Sequence, residues 1–343
     1  MLNRNGRTEF YRRTKDVPLV RQTAIQMVHE LAKRDPRVLF LCSDLGPGIL
    51  EAMRLEFPER YFMEGVSEAN FIGMSAGLAM EGYIPYLNTI APFFTRREYE
   101  QIAVDLCLHH LPVRMLSSGG GLVYAPLGPT HLAIEDIAAM RALPNMTIVA
   151  ACDAPEMRRL MEQSLDWPDP MYIRLAKGGD PIVSDPARGF MIGKGILVRE
   201  PGTVLFVTTG VMLGQAMQAA DLLAESGVHC GLVHMHTIKP LDTELLSEVA
   251  AEVPLVVTVE EGIRAGGLGS AVLEALSEGA AGDMPRVLRI GLPDAFPHEY
   301  GSQDTMFDTF GLKGPQIAKT VNDELASNSR RRPNVLVSAE GDR

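Results

Sequence analysis

The chain has 343 residues, of which 46% are hydrophobic and 22% charged, as in a globular protein of two ordinary domains. Its net charge of −11 argues against nucleic acid as a partner. No apolar run reaches membrane-spanning length and no signal-peptide core is visible, which predicts a cytoplasmic protein without a membrane partner. The four cysteines lie far apart without CxxC spacing, so we expect reduced, buried thiols rather than disulfides or a zinc site.

Helical and strand patterns alternate along the chain, which is typical of an α/β fold with mainly parallel sheets. Residues 1–17 are rich in arginine and predict an exposed N-terminal arm. Asp44 and Leu45 follow a buried strand, at the end where α/β proteins place ligands. In the first half we predict helices at 23–33 and 135–143, and strands at 38–42, 112–116, 147–151 and 171–175.

The alternation is interrupted at 177–181, Lys-Gly-Gly-Asp-Pro, which predicts a linker between domains at 18–180 and 190–325. Residues 326–343 mix Ser, Asn, Arg and Pro and predict a disordered tail. In the second domain we predict a helix at 212–226 and strands at 204–208, 230–234, 255–259 and 287–290.

One acid stands out because of the residues that follow it. After Glu68 come Gly, Ser and Ala residues interleaved with Phe, Ile, Met and Leu, which predicts a buried helix with little polarity on any face. An unpaired carboxylate at the start of such a helix would be costly. We therefore expect Glu68 either to cap the helix N-terminus or to meet a specific ligand.

The pattern Glu-x-x-x-x-Gly-Met-Ser-Ala-Gly-Leu-Ala from Glu68, followed by Gly82 and Pro85, resembles the pyrimidine-binding segment of the transketolase family. The resemblance covers roughly residues 18 to 325. It implies a thiamine diphosphate-binding pyrimidine domain followed by a transketolase C-terminal-like domain that supports self-association. It also implies that Glu68 is catalytic and hydrogen-bonds a nitrogen of the cofactor's aminopyrimidine ring.

The same resemblance assigns further site residues. Gly-Pro-Thr-His at 128–131 is similar to the family's substrate-channel motif, in which His131 would contact a hydroxyl or carbonyl oxygen of the donor. Phe93, with Phe94 beside it, would pack on the aminopyrimidine. Asp44 and Leu45 would lie near the thiazolium ring, with Leu45 supporting the folded shape of the cofactor.

Four positions bear on the substrate. Arg21 and Lys177 match positions at which family members bind substrate phosphate. Leu127 stands where sugar-phosphate transketolases have an Asp that bonds a sugar hydroxyl, and Gly119 stands where a phosphate-binding histidine is common. The resemblance therefore implies a less polar or unusual substrate, with a ketose and a 2-oxo acid donor both open.

The chain has no Gly-Asp-Gly motif, which thiamine enzymes use with a downstream Asn to hold Mg²⁺ or Ca²⁺ and the diphosphate. It resembles only the C-terminal half of a full transketolase. This implies a split enzyme in which an N-terminal-type subunit, carrying Gly-Asp-Gly, brings the metal, in a heterotetramer. The chain alone would be inactive, and the pair would transfer a two-carbon ketol unit from a ketose to an aldehyde.

Two other functions stay open. One is a 2-oxo acid decarboxylating or acyloin-forming subunit, similar to a 1-deoxyxylulose-phosphate synthase or a dehydrogenase beta chain. The other is a non-catalytic scaffold, against which Glu68, Phe93 and His131 argue. The glycine-rich residues 266–270 could cradle a phosphate, but we expect them to serve close helix packing.

Overall fold

The computed structural model describes residues 19–44, 48, 50–279 and 284–331. The predicted N-terminal arm and Leu45 lie outside these residues. The strands are β1 (Val38–Cys42), β2 (Tyr61–Met63), β3 (Ile84–Ile90), β4 (Arg114–Ser118), β5 (Thr147–Ala150), β6 (Met171–Leu175), β7 (Ile196–Arg199), β8 (Val204–Thr208), β9 (Cys230–His234), β10 (Thr237–Lys239), β11 (Leu255–Ile263) and β12 (Arg286–Leu292). The helices are α1 (Val20–Arg34), α2 (Glu51–Glu56), α3 (Glu68–Met80), α4 (Ala91–Arg96), α5 (Tyr99–Gln101), α6 (Asp136–Arg141), α7 (Ala154–Ser164), α8 (Met212–Glu225), α9 (Thr243–Ala250), α10 (Leu268–Gly279), α11 (Gln303–Thr309) and α12 (Gly314–Arg331).

The first sheet has seven strands in the order β10-β5-β6-β4-β3-β1-β2. They are parallel except for β10, which is antiparallel to β5. β1, β4, β5 and β6 are buried along their whole length, as expected for strands covered by helices on both faces. The predicted α/β class with mainly parallel sheets is confirmed.

The central strand β3 was not predicted from the sequence. It carries Pro85 and Asn88, two residue types that are depleted in strands. The buried amide of Asn88 is accommodated because its Nδ2 donates to the Leu116 carbonyl at 2.7 Å and to Ser118 Oγ at 2.9 Å. A long-range partner on β4 therefore overrides the local preference.

The second sheet has five strands in the order β12-β11-β8-β9-β7, with only β7 antiparallel to its neighbour. β10 follows β9 in the chain but pairs with β5 of the first sheet. No strand is predicted from the sequence at 237–239. The two sheets are consequently joined through a strand as well as through packed side chains.

The last helix corrects the prediction for the C-terminal tail. α12 runs from Gly314 to Arg331, so residues 326–331 are helical rather than disordered. The rest of the predicted tail lies outside the described residues. All four cysteines are free thiols, and three of them are buried, as predicted. No helix in the described parts of the chain is long and apolar enough to cross a membrane.

The glycine-rich segment before α10 wraps around a protein carboxylate. Glu260 accepts hydrogen bonds from the backbone N–H groups of Leu268 and Gly269 at 2.8 and 2.9 Å. Burial raises the pKa of Glu260 to about 7, and these two hydrogen bonds oppose the rise. The N-terminus of α10 is thus satisfied by Glu260, which agrees with the expected packing role.

Replacing Gly267 by Ala is expected to destabilise the chain by about 1–3 kcal/mol, because its Cβ would collide with the Glu260 carboxylate. Denaturant unfolding of the two proteins measures the difference. Gly214→Ala in α8 is the matched control, since its Cβ would meet only Val183 at 3.8 Å. An unchanged midpoint for Gly267→Ala would contradict the tight fit.

Candidate functional site

The predicted site residues follow neighbouring strands of the first sheet. Asp44 comes after β1, Glu68 comes after β2, Phe93 lies in the helix that follows β3, and His131 lies in the loop after β4. These four strands are adjacent and parallel, so their carboxyl ends meet at one edge of the sheet. This is the edge at which open α/β sheets bind ligands.

Glu68 is the first residue of α3 and is buried. Its two carboxylate oxygens both lie 3.4 Å from Nη1 of Arg97, a residue just beyond α4. The Arg97 guanidinium carbon in turn lies 3.7 Å from the centre of the Phe93 ring, a cation–π contact. The structure thus joins Arg97 to Glu68 on one side and to Phe93 on the other.

The neighbouring phenylalanines Phe93 and Phe94 have different environments. Phe93 is partly exposed, and its ring centre lies 5.5 Å from that of His131. Phe94 is fully buried and packs edge-on against Phe71. Phe94 is therefore a core residue, and the structure does not support its predicted role as a cofactor contact. Glu68, Arg97, Phe93 and His131 form a continuous row.

Arg96 holds the loop that carries His131. Its guanidinium bonds the carboxylate of Glu135 and donates to the carbonyls of Pro129 and Leu132 at 3.3 and 3.0 Å. The loop is also covered from the second half of the chain, because a Cβ at Gly128 would lie 2.7 Å from the Tyr300 ring. The His131 loop is therefore fixed on two sides.

Glu98, beside this row, is fully buried, and neither carboxylate oxygen has a hydrogen-bond partner among the described residues. Burial, followed by the negative charge of Glu68, raises the pKa of Glu98 to about 9. Glu98 is therefore a neutral carboxylic acid near neutral pH, although nothing in the local sequence pattern marked it.

Replacing Glu98 by Gln is expected to stabilise the chain by on the order of 1–3 kcal/mol at about pH 8, where ionisation of Glu98 opposes folding. Folding raises the pKa of Glu98 above the ordinary 4.5, so its contribution to the free energy of unfolding is complete only at low pH. That contribution falls as pH rises towards 9, because the unfolded chain releases the proton first. Unfolding midpoints across this range should diverge in favour of the variant. Parallel pH profiles for the two proteins would contradict the assignment.

One face of α3 is exposed, whereas the sequence predicts a buried helix with little polarity on any face. Ala69, Gly73 and Gly77 are exposed, and no atom lies within 4 Å of a Cβ placed at either glycine. Exposed apolar side chains lie before α3, at its C-terminal end, just after it, and at the helical turn Ile102–Cys107 that packs beside it: Met63, Val66, Met80, Tyr83, Val104 and Leu108. We call this surface the α3 face, and an apolar surface of this kind is typical of an interface.

A second group of predicted residues surrounds Tyr124. Arg21 Nη1 donates to Tyr124 Oη at 3.3 Å, and the Tyr124 ring packs so closely on Gly119 that a Cβ there would collide with it. The prediction had not included Tyr124. Leu127, half exposed, follows in the same short helical turn.

Lys177 and Asp44 stand at the margins of the site. Lys177 is exposed, and next to it Gly178 approaches the start of α1, where a Cβ would lie 2.6 Å from Leu19 Cα. α1 also carries Arg21, so the two predicted phosphate-binding cations are on adjoining segments. Asp44 is exposed at the end of β1, where its Oδ1 accepts a hydrogen bond from Ser43 Oγ at 3.4 Å.

A buried arginine links the two halves of the chain. Its ion pair with Asp136 lies within the first half, and its contact with the second half is a hydrogen bond. Arg174 Nε donates to Asp136 Oδ2 at 2.7 Å, and its Nη2 donates to the Glu261 carbonyl at 2.6 Å. The Glu261 side chain accepts from the Leu122 N–H at 2.7 Å and from Gln303 Nε2 at 2.8 Å. Burial raises the pKa of Glu261 to about 7, against the attraction of Arg174.

The first row fits one end of thiamine diphosphate. The long 3.4 Å contacts with Arg97 leave the Glu68 carboxylate free to bond a ring nitrogen, and Phe93 offers an aromatic face beside it. The described residues near this row include no cluster of oxygen ligands suited to Mg²⁺ or Ca²⁺. The geometry thus suits the aminopyrimidine and not the diphosphate.

Comparison with known proteins matches two family models. The transketolase pyrimidine-binding domain matches residues 18–179, and the transketolase C-terminal domain matches residues 193–317. A 6-deoxy-6-sulfo-D-fructose transketolase subunit from Clostridium sp. is 33% identical over 89% of this chain and 94% of its own length.

Two further comparisons differ in how much of the other protein is covered. A solved structure described as a split gene transketolase, inactive beta4 tetramer, superimposes with a TM-score of 0.82 at 34% identity, over 90% of this chain and 98% of the other. The 1-deoxy-D-xylulose-5-phosphate synthase of Thermosynechococcus vestitus is 37% identical over 88% of this chain but only 47% of its own length. The chain thus spans about half of such synthases.

Proposed function

The chain belongs to the transketolase family, and we propose that it is the C-terminal, beta-type subunit of a split, thiamine diphosphate-dependent transketolase-like enzyme. The enzyme would transfer a two-carbon ketol unit from a ketose to an aldehyde. The observation that carries the proposal is the row of Glu68, Arg97, Phe93 and His131 beside the open α3 face. Near full-length coverage of a transketolase subunit and of a split gene transketolase supports it.

Three residues of the row, Glu68, Phe93 and His131, have distinct tasks in this proposal. Thiamine diphosphate, when bound, supplies the stabilisation of the carbanion. Glu68 would share a proton with the aminopyrimidine nitrogen, and Phe93 would pack on that ring. His131, held by Arg96 and bonded through Nδ1 to Thr130 Oγ1 at 2.8 Å, would present Nε2 to an oxygen of the donor. Arg21 and Lys177 would attract an anionic end of the substrate.

The proposal includes a partner subunit. The chain lacks Gly-Asp-Gly, and the apolar α3 face lies beside Glu68, where a second chain could close the cofactor site. We propose that the partner subunit carries Gly-Asp-Gly, Mg²⁺ or Ca²⁺ and the diphosphate. The two subunits would form a heterotetramer in which the C-terminal domain of the present chain supports self-association. The chain alone would then be inactive.

One observation favours a second candidate function. The identity of 37% to a 1-deoxy-D-xylulose-5-phosphate synthase, together with the apolar Leu127, suits a 2-oxo acid donor. Such an enzyme would form an acyloin after decarboxylation, with the same residues around the aminopyrimidine.

A donor screen on the reconstituted pair separates the two functions. The chain is co-purified with its Gly-Asp-Gly partner and given thiamine diphosphate and Mg²⁺, and ketose and pyruvate donors are assayed in parallel with an aldehyde acceptor. We expect turnover of ketoses only, and none with the chain alone. Turnover of pyruvate only would reject the transketolase function in favour of the second candidate, and no turnover of either would favour the scaffold.

A further inference from the structure

A buried cluster of nitrogen, sulfur and oxygen ligands lies where the two halves of the chain meet, apart from the row at Glu68. Cys152 follows β5 and Glu156 lies in the first turn of α7, whereas His234 ends β9 and His236 lies just beyond it. One ligand atom from each of Cys152, Glu156 and His234 lies within 4.8 Å of the other two. All four side chains are at most 1% exposed.

The hydrogen bonds of the cluster leave two polar atoms unused. Glu156 Oε2 accepts from the Cys152 N–H at 2.7 Å and lies 3.0 Å from His234 Nε2. Glu156 Oε1 and His236 Nε2 have no hydrogen-bond partner among the residues that the structure describes. Buried polar atoms are rarely left unpaired, because each costs about 1–3 kcal/mol. The cluster is therefore incomplete without a further ligand.

In both histidines a threonine hydroxyl lies near Nδ1, which leaves Nε2 as the nitrogen that could bind a metal. His234 Nδ1 lies 3.4 Å from Thr208 Oγ1, and His236 Nδ1 lies 3.0 Å from Thr237 Oγ1. The two ring centres are 5.9 Å apart. A neighbouring hydroxyl on Nδ1 fixes the ring of a metal-binding histidine and leaves Nε2 for the ion.

The donor set identifies the class of ion. Thiolate, carboxylate and two imidazoles suit a tetrahedral divalent ion such as Zn²⁺, whereas Mg²⁺ and Ca²⁺ require oxygen ligands. Ligands bind Zn²⁺ at about 2.0–2.3 Å, so two of them can be at most about 4.6 Å apart. The ligand atoms of Cys152, Glu156 and His234 need only a small contraction, whereas the His236 ring would have to move closer. The charges of Cys152 and Glu156 would balance the ion, with binding displacing the thiol proton.

We propose that Cys152, Glu156 and His234, joined by His236 when its ring moves closer, form a structural zinc site that clamps the two halves of the chain together. The sequence predicted no zinc site because Cys152 and Glu156 are far in sequence from the two histidines. Since all four side chains are buried, the ion would enter as the halves close during folding. It would then exchange slowly.

The test is metal binding by the full chain, produced without a histidine tag and refolded with Co²⁺ or Zn²⁺. We expect one equivalent of metal after dialysis, a thiolate-to-Co²⁺ charge-transfer band and a higher melting temperature of the zinc-loaded protein. Cys152→Ser should lose the band and most of the bound metal. Cys107→Ser, at a buried thiol outside the cluster, should keep both.

Two measurements keep the result decisive if Cys152→Ser folds poorly. The ¹¹³Cd chemical shift of the wild-type protein reports how many sulfur ligands bind the ion, and His236→Gln tests the fourth ligand separately. A chemical shift that indicates one sulfur ligand supports the site, and so does weaker metal binding by His236→Gln. Substoichiometric metal in the refolded wild type, or a charge-transfer band that Cys152→Ser retains, would overturn it.

Discussion

Replacement of Glu68 by Gln is expected to lower the turnover of the reconstituted enzyme by roughly 10²–10⁴-fold, as for loss of an acid–base group. Gln can still bond the aminopyrimidine but cannot give or take its proton. The fold should survive, because Arg97 is half exposed and is not left as a buried, unpaired charge. Steady-state kinetics with saturating thiamine diphosphate, together with thermal unfolding of the variant, provide the measurement.

Glu81→Gln is the matched control for this variant. Glu81 is exposed at the opposite end of the same helix, so its replacement should leave turnover unchanged. If Glu68→Gln retains wild-type turnover in the same assay, the assignment of the aminopyrimidine site to α3 is wrong.

Replacement of Arg174 by Met is expected to lower the free energy of unfolding by about 3–5 kcal/mol, because it leaves the buried Asp136 carboxylate without its partner. It also removes the donors to the Ala133 and Glu261 carbonyls. The loss should exceed that from an exposed pair, because a hydrogen bond between the two halves is lost as well. Urea titrations followed by circular dichroism and by the fluorescence of Trp167, in the first half, measure this.

The exposed ion pair between Arg158 and Glu30 is the control for the Arg174 variant. Arg158 Nη1 lies 2.9 Å from Glu30 on the surface, and Arg158→Met should cost at most about 1 kcal/mol. A double variant that also replaces Asp136 by Leu should recover part of the loss, since the stranded charge is then gone. Equal costs for the two arginines would contradict the stabilising role assigned to the buried Arg174–Asp136 pair.

Much of the fold could be predicted because its elements have strong local patterns. The buried strands β1, β6, β8 and β9 were expected at the residues where they occur. β10 was missed because it is short and its partner β5 is distant in the chain. Its pairing depends on how the second half docks, and no local pattern encodes that.

In the candidate site, too, some residues could be predicted from the sequence and others could not. Glu68 and His131 belong to motifs that can be recognised in the sequence, and both lie at the carboxyl edge of the first sheet. Spacing could not separate Phe93 from Phe94, because adjacent residues on a helix face different environments only once the helix is packed. The structure shows which of the two phenylalanines is buried in the core. It also shows the buried carboxyl of Glu98, which belongs to no recognisable sequence motif.

The sequence by itself determined the α/β class, the family and the acid at the head of α3, since these depend on local patterns and on motif wording. The tertiary structure alone decided which groups meet: Arg97 with Glu68, Arg174 with Asp136 and Glu261, and Cys152 with His234. The physical reason is that hydrogen bonds and metal coordination act over a few ångströms of space. Chain folding, and not sequence spacing, brings those atoms together.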